Sequence, residues 1–162
     1  MADKRKEKIF QWINELNESE LQDFEFIIEG LNQRKQRKSG SYIGALLHAE
    51  SEFKDDIFTI RIPNSALIQN SLNIVHGGIT ATLLDSAMGS LAFQYLPSDY
   101  AAVTTEMKIN YVAPGIGKEL VCNASLIHKG TKTIVTEGKV FRDDGQLIAH
   151  STASFFIIKR RA

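Results

Sequence analysis

The 162-residue sequence predicts an α+β fold. Three observations carry that expectation. Two amphipathic helical patterns open the chain. One 18-residue apolar stretch, too long for a single strand, sits in the middle. Strand patterns flank it without the regular helix–strand alternation of a parallel sheet.

In chain order, residues 4–16 place Ile9, Trp12, Ile13 and Leu16 on one helical stripe. Asn17 with Glu20 three residues on offers a capping box. The helix that follows aligns Leu21, Phe24, Ile27, Ile28 and Leu31. It is expected to run out through the basic segment 34–38 to a glycine cap at Gly40. Past Ser41 the period changes, and residues 42–50 and 53–62 read as two strands; in the second, Phe58, Ile60 and Ile62 alternate with polar positions. Residues 66–75 read as irregular with apolar anchors. His76-Gly77-Gly78 then opens the long apolar stretch 79–96, read as a buried helix rich in Ala and Leu. Four further strands are expected at 101–112, 119–128, 131–142 and 147–158, divided by turn signals at 113–117, Lys129-Gly130 and Asp143-Asp144-Gly145. The order divides the chain into a helical extension, residues 1–41, and a main domain, residues 42–162.

Apolar residues make up 43% and charged residues 23% of the chain, and nineteen Lys+Arg balance nineteen Asp+Glu. The balance holds within the extension, where residues 1–40 carry eight of each sign, so bulk charge gives no reason to expect a nucleic-acid partner. Zero net charge gives little protection against self-association, so a homo-oligomer is expected. One cysteine, Cys122, cannot form an internal disulfide, and it reads as an apolar filler in a strand. No apolar run of signal-peptide length follows the charged N-terminus and no stretch is apolar throughout the length of a membrane span, which gives a cytoplasmic expectation with no membrane partner; the lone cysteine gives an expectation of no metal.

At 100° per residue, Ile79, Leu83, Leu84, Ala87, Met88, Leu91 and Tyr95 form the arc of the central helix expected to face the sheet. The other side carries Ala81, Asp85, Gly89 and Ala92. Asp85 is either a solvated helix-edge charge or a partly desolvated carboxylate fit to act as a base near neutral pH. Gly77-Gly78 is either a tight turn into the helix or an entry whose bare N–H groups face a developing negative oxygen. Gly77 and Asp85 stand eight residues apart, so roughly 12 Å along one helix. A base and an oxyanion donor must both lie about 3 Å from one reacting centre. If both act, they come from different subunits, and a two-fold pair of antiparallel helices supplies two equal sites.

Residues 70–85, Asn-Ser-Leu-Asn-Ile-Val-His-Gly-Gly-Ile-Thr-Ala-Thr-Leu-Leu-Asp, resemble the signature of hotdog-fold acyl-CoA thioesterases of the PaaI type. The strand Val103–Ile109, its Tyr111-x-x-Pro114 turn and the strand start at 145–149 fit the same pattern, and the resemblance spans about residues 42–158. It implies a hotdog fold, a long central helix wrapped by an antiparallel β-sheet, here preceded by a two-helix extension. It also implies hydrolysis of acyl-CoA with coenzyme A entering only as part of the substrate, no other cofactor, and a dimer or tetramer with sites between subunits. Asp85 matches the general base or nucleophile, and Gly77 the backbone donor to the thioester carbonyl. Asn70 matches an asparagine some members use at the thioester. His76 matches a loop-holding histidine that orients substrate, and Thr104 a hydroxyl residue near the attacking water. Gly78 joins Gly77 at the substrate's approach. Lys129, Gly130 and Lys132 resemble the segment bordering the coenzyme, though the same turn also reads as a solvated hairpin tip.

Two other readings stand beside this one: an enoyl-CoA hydratase or dehydratase on the same fold, and a non-catalytic acyl-CoA-binding regulator. The first needs a histidine close to its acid, and His76 and Asp85 are far apart along the helix. The second would carry a DNA-binding arm, and the extension is neutral with two helices rather than three. The extension is expected instead to cover apolar surface on the main domain or its oligomer. His48, His128 and His150 read as packing or surface residues. Phe93, Met88, Tyr95 and Leu96 read equally as pocket lining or core.

Overall fold

The computed structural model describes residues 2–36 and 40–160. The chain forms two compact units, residues 1–48 and 49–162, against a boundary after residue 41 read from the sequence.

The first unit holds α1 (Ala2–Glu15), α2 (Glu18–Lys35) and α3 (Tyr42–Leu46). The capping box at the start of α2 is formed: Glu20 N–H donates to Asn17 Oδ1 at 3.1 Å and Asn17 N–H to Glu20 Oε2 at 2.9 Å. The glycine cap expected at Gly40 is not used, because α2 ends at Lys35 with Gln36 as its C-cap. Residues 37–39 of the basic segment lie outside the described residues. The strand expected over 42–50 is instead α3, followed by a turn. Ser41 caps it by accepting from Gly44 N–H at 3.0 Å. His48 stacks on Phe26 with ring centroids 3.8 Å apart, and its Nε2 lies 2.8 Å from the Phe26 carbonyl oxygen.

The second unit is one six-stranded antiparallel sheet around one helix. Its elements are β1 (Glu50–Lys54), β2 (Ile57–Pro63), a 3₁₀ turn (Ala66–Ile68), α4 (Gly77–Gln94), β3 (Tyr100–Tyr111), β4 (Glu119–Lys129), β5 (Thr133–Arg142) and β6 (Leu147–Lys159). The sheet order is β1-β2-β4-β5-β6-β3. Asp55 and Asp56, with φ of 51° and 61°, make the two-residue turn between β1 and β2, a conformation that short acidic side chains tolerate. Four strands expected after the helix appear within two residues of their predicted ends.

Alternate residues of β2, β4 and β5 are buried, which puts Phe58, Ile60, Ile62, Leu120, Cys122, Ala124, Ile134 and Val140 on the α4 side of the sheet. From α4, Leu83, Leu84, Ala87, Met88 and Leu91 fill the same core, all at most 1% exposed. A large side chain buried this way contributes about 1.5–3 kcal/mol before entropy. Gly138 lets the helix approach: a Cβ there would stand 2.9 Å from Leu84 and 3.1 Å from Met88. Met88 is therefore core rather than pocket lining. Ala92, expected on the open side with Asp85, is fully buried, and Thr80 is buried at 3% exposure. Cys122 is a strand filler, and burial pushes its thiol up to about 12.

On the opposite face of the sheet, Glu137 meets Lys139 Nζ at 2.8 Å and His150 Nε2 at 3.0 Å, an arrangement the isolated reading of His150 missed. Among the described residues, no helix is long and apolar enough to cross a membrane.

Candidate active site

The loop before α4 is stitched to itself and to the sheet. Gln69 and Val75 form an isolated antiparallel bridge, and Asn70 N–H donates to the Ile74 carbonyl at 2.9 Å. Asn70 Oδ1 accepts the Leu72 N–H at 2.9 Å, closing the turn in which Asn73 takes a φ of 56°. Val75 N–H donates to the Gly115 carbonyl and His76 N–H to the Ile68 carbonyl, both at 2.8 Å. Asn70 thus holds the turn through its carbonyl oxygen, leaving its side-chain NH₂ free of partners among the described residues.

This loop delivers His76 as the N-cap of α4. Its Nδ1 accepts the Gly78 N–H at 2.9 Å. Nδ1 therefore carries no proton, and in the neutral ring Nε2 carries it. The His76 carbonyl accepts from Ile79 N–H at 2.9 Å and from Thr80 N–H at 3.2 Å. Of the first four amides of α4, only Gly77 N–H has no hydrogen-bond partner among the described residues. Gly78, expected beside it at the substrate's approach, has its N–H engaged.

The fold does not itself require glycine at 77. Its φ is not in the left-handed region, and a Cβ would meet only the Tyr111 ring at 3.6 Å, an ordinary contact. What glycine provides here is open approach to the free N–H.

Two turns further on, half-buried Asp85 accepts a hydrogen bond from Thr104 Oγ1 at 2.8 Å through Oδ1. Thr104 is on β3, the edge strand, just before a register shift between Thr104 and Glu106. Asp85 Oδ2 has no partner among the described residues. The site therefore divides into two clusters. Asn70, His76, Gly77 and Gly78 gather at the N-terminus of α4. Asp85 and Thr104 sit eight residues along it, about 12 Å by helix rise.

The turn holding Lys129, Gly130 and Lys132 falls at the Asp85 end of the sheet. By register, Thr133 faces Phe156 and Phe156 faces Val103, so Thr133 and Val103 are two strand spacings apart, about 10 Å. Gly130 N–H closes the turn on the Thr133 carbonyl at 2.8 Å. Lys129 and Lys132 are exposed, and among the described residues neither pairs with an acid.

The sequence alone assigns no role to Tyr111. Tyr111, at the end of β3, donates its hydroxyl to the Gly77 carbonyl at 2.9 Å. Its hydrophobic ring and its distance from Gly77 in the chain hide that contact from sequence alone.

The geometry is that of a helix lying on an antiparallel sheet, with an acid at mid-helix and a free amide at its entry. A thioesterase superfamily profile matches residues 72–149. A Bacillus halodurans protein whose crystal structure was determined with CoA is 41% identical, covers 94% of this chain and 99% of its own, and superposes with a TM-score of 0.87. The Escherichia coli PaaI protein shares the fold at 17% identity and a TM-score of 0.68, over 80% of this chain and 94% of its own. Acyl-coenzyme A thioesterase 13 of Mus musculus is 34% identical over 82 residues, 49% of this chain. The match spans 58% of that curated relative's length. The chain belongs to the thioesterase superfamily, and its second unit has the hotdog fold.

Proposed function

We propose that the chain hydrolyses acyl-CoA thioesters at sites shared between two copies, each site joining Gly77 of one chain to Asp85 of the other. The observation that carries this reading is the free Gly77 N–H, about 12 Å along the helix from a half-buried carboxylate. The catalytic pairing needs the two within reach of one carbonyl. Support comes from the relative solved with CoA and from the thioesterase named above.

In this mechanism the Gly77 N–H polarises the thioester carbonyl. Asp85 Oδ2 takes a proton from water while Thr104 holds Oδ1. The water oxygen adds to the carbonyl carbon, and the Gly77 N–H stabilises the oxyanion that forms. Collapse breaks the carbon–sulfur bond and releases the acid, and the proton on Asp85 passes to the departing CoA thiolate, restoring the carboxylate. His76 holds the Gly78 amide and keeps the entry turn in place, while Asn70 braces the loop and offers its NH₂ to the substrate. The Lys129-Gly130-Lys132 turn offers two unpaired cations for the coenzyme's phosphates. The chain works as a homodimer or a pair of dimers in the cytoplasm, with no bound cofactor.

The hydratase reading loses ground on geometry, because the His76 ring is occupied at the helix entry rather than placed beside Asp85.

Two variants test the mechanism by free-thiol release across short, long, branched and aromatic acyl-CoAs. Asp85→Asn keeps an oxygen for Thr104 and is expected to lower kcat by about 10²–10⁴ with little change in KM. Gly77→Pro removes the free N–H and puts its ring in the open approach to it. Proline suits the first position of a helix, and His76 already has the extended ψ of 133° that a residue before proline adopts. It is expected to fold normally and lose about 10²–10³ in kcat. Wild-type turnover in either folded variant would contradict the mechanism.

A further inference from the structure

Gly77 lies between two peptide planes. In the first, the His76 carbonyl is held by the Ile79 and Thr80 amides and the Gly77 N–H is free. In the second, the Gly78 N–H is held by His76 Nδ1, and the Gly77 carbonyl, which also heads the hydrogen-bond ladder of α4, is held by Tyr111 Oη. Every contact but the last is local to the loop and the first turn. Two consecutive glycines at a helix entry are otherwise permissive in φ and ψ. The Tyr111 hydroxyl is thus the one tether from the sheet to either plane among the described residues, and its ring lies 3.6 Å from where a Gly77 Cβ would be.

Tyr111 is 53% exposed and contributes little to the core. Its proton is committed to the Gly77 carbonyl, so it does not serve the reacting atoms. β3 also carries Thr104, so one edge strand holds both clusters of the site: Thr104 on the acid and Tyr111 on the amide end.

We propose that Tyr111 is a positioning residue that fixes the aim of the Gly77 N–H by clamping the adjoining peptide. The inference rests on the reading of Gly77 as the oxyanion donor. A preorganised donor acts only on charge that develops in the transition state. Loosening its aim therefore lowers kcat and spares ground-state binding.

The test is Tyr111→Phe, which keeps the ring against Gly77 and removes the hydroxyl. Kinetics are measured on an acyl-CoA that the wild-type protein turns over, alongside backbone amide hydrogen exchange at residue 78. The expected result is a fall in kcat of about 10-fold, less than the loss of the donor itself, with KM within about twofold. Exchange at Gly78, whose amide is held by His76 Nδ1, speeds up while the melting temperature holds. An unchanged kcat, or a raised KM with kcat intact, would overturn the proposal. If Asp85→Asn is inactive while Tyr111→Phe matches wild type, the clamp fails and the thioesterase reading stands. If the wild-type protein hydrolyses no acyl-CoA, the thioesterase reading fails. The exchange measurement still decides the clamp, because unchanged exchange overturns it.

Discussion

At the residue scale, hydrogen bonds decide what each candidate can do. His76 Nδ1 and Gly78 satisfy each other, Asn70 Oδ1 satisfies its own turn, and of the first-turn amides only Gly77 N–H is left bare among the described residues. The sequence showed which residues stand at the helix entry but not which amide stays open, because that depends on the His76 rotamer. Tyr111 was invisible for a similar reason: its partner is a backbone carbonyl 34 residues away. Glu137 gives a separate prediction. Hydrogen bonds from Lys139, then from His150, hold its carboxyl below the usual range despite some desolvation. The folded state thus binds fewer protons there than the unfolded chain. The stabilisation is present above the ordinary pKa of about 4.3 and is lost as pH falls through the folded value. Denaturant midpoints should place Glu137→Gln below wild type near neutral pH, with the gap closing below about pH 4. A gap that persists undiminished into stronger acid would contradict this assignment.

At the element scale, periodicity served long segments and failed on a short one. α4 and β3 to β6 declare themselves over ten or more residues each. The five residues of α3 cannot: one turn of helix carries no period, and Tyr42, Ile43, Leu46 and Leu47 read as well for a strand. The close packing of Gly30 on Ala45, where a Cβ would stand 2.5 Å from a backbone oxygen, joins residues distant in sequence. The arc of α4 was placed correctly for Leu83, Leu84, Met88 and Leu91 but missed Ala92 and Thr80, because the sheet wraps the helix more widely than one stripe. Gly138 sets how near that helix lies. Gly138→Ala should push Leu84 and Met88 off their sites and destabilise the fold by about 1–3 kcal/mol, read as a lower denaturant midpoint. An unchanged midpoint would mean the helix is free to move away at no cost.

At the scale of the whole molecule, the open feature is β3. It is twelve residues long, lies at the sheet edge, and carries exposed Val103 and Tyr111 beside the two site clusters. An uncovered edge of that length invites pairing with another chain. Balanced charge, legible from composition, raises no barrier to it. The separation of Gly77 from Asp85, on which the proposed subunit-shared site rests, was legible as arithmetic, since helix rise alone gives it. What arithmetic could not supply was the pairing of Asp85 with Thr104, which depends on where β3 crosses the helix.

The most direct test mixes the two inactive chains. A purified dimer of one Asp85→Asn chain and one Gly77→Pro chain has one doubly disabled site and one intact site if each site draws on both subunits. It should recover about half the wild-type turnover per dimer. If each site belongs to a single chain, both sites stay disabled, and a mixed dimer no more active than its parents would contradict the shared site.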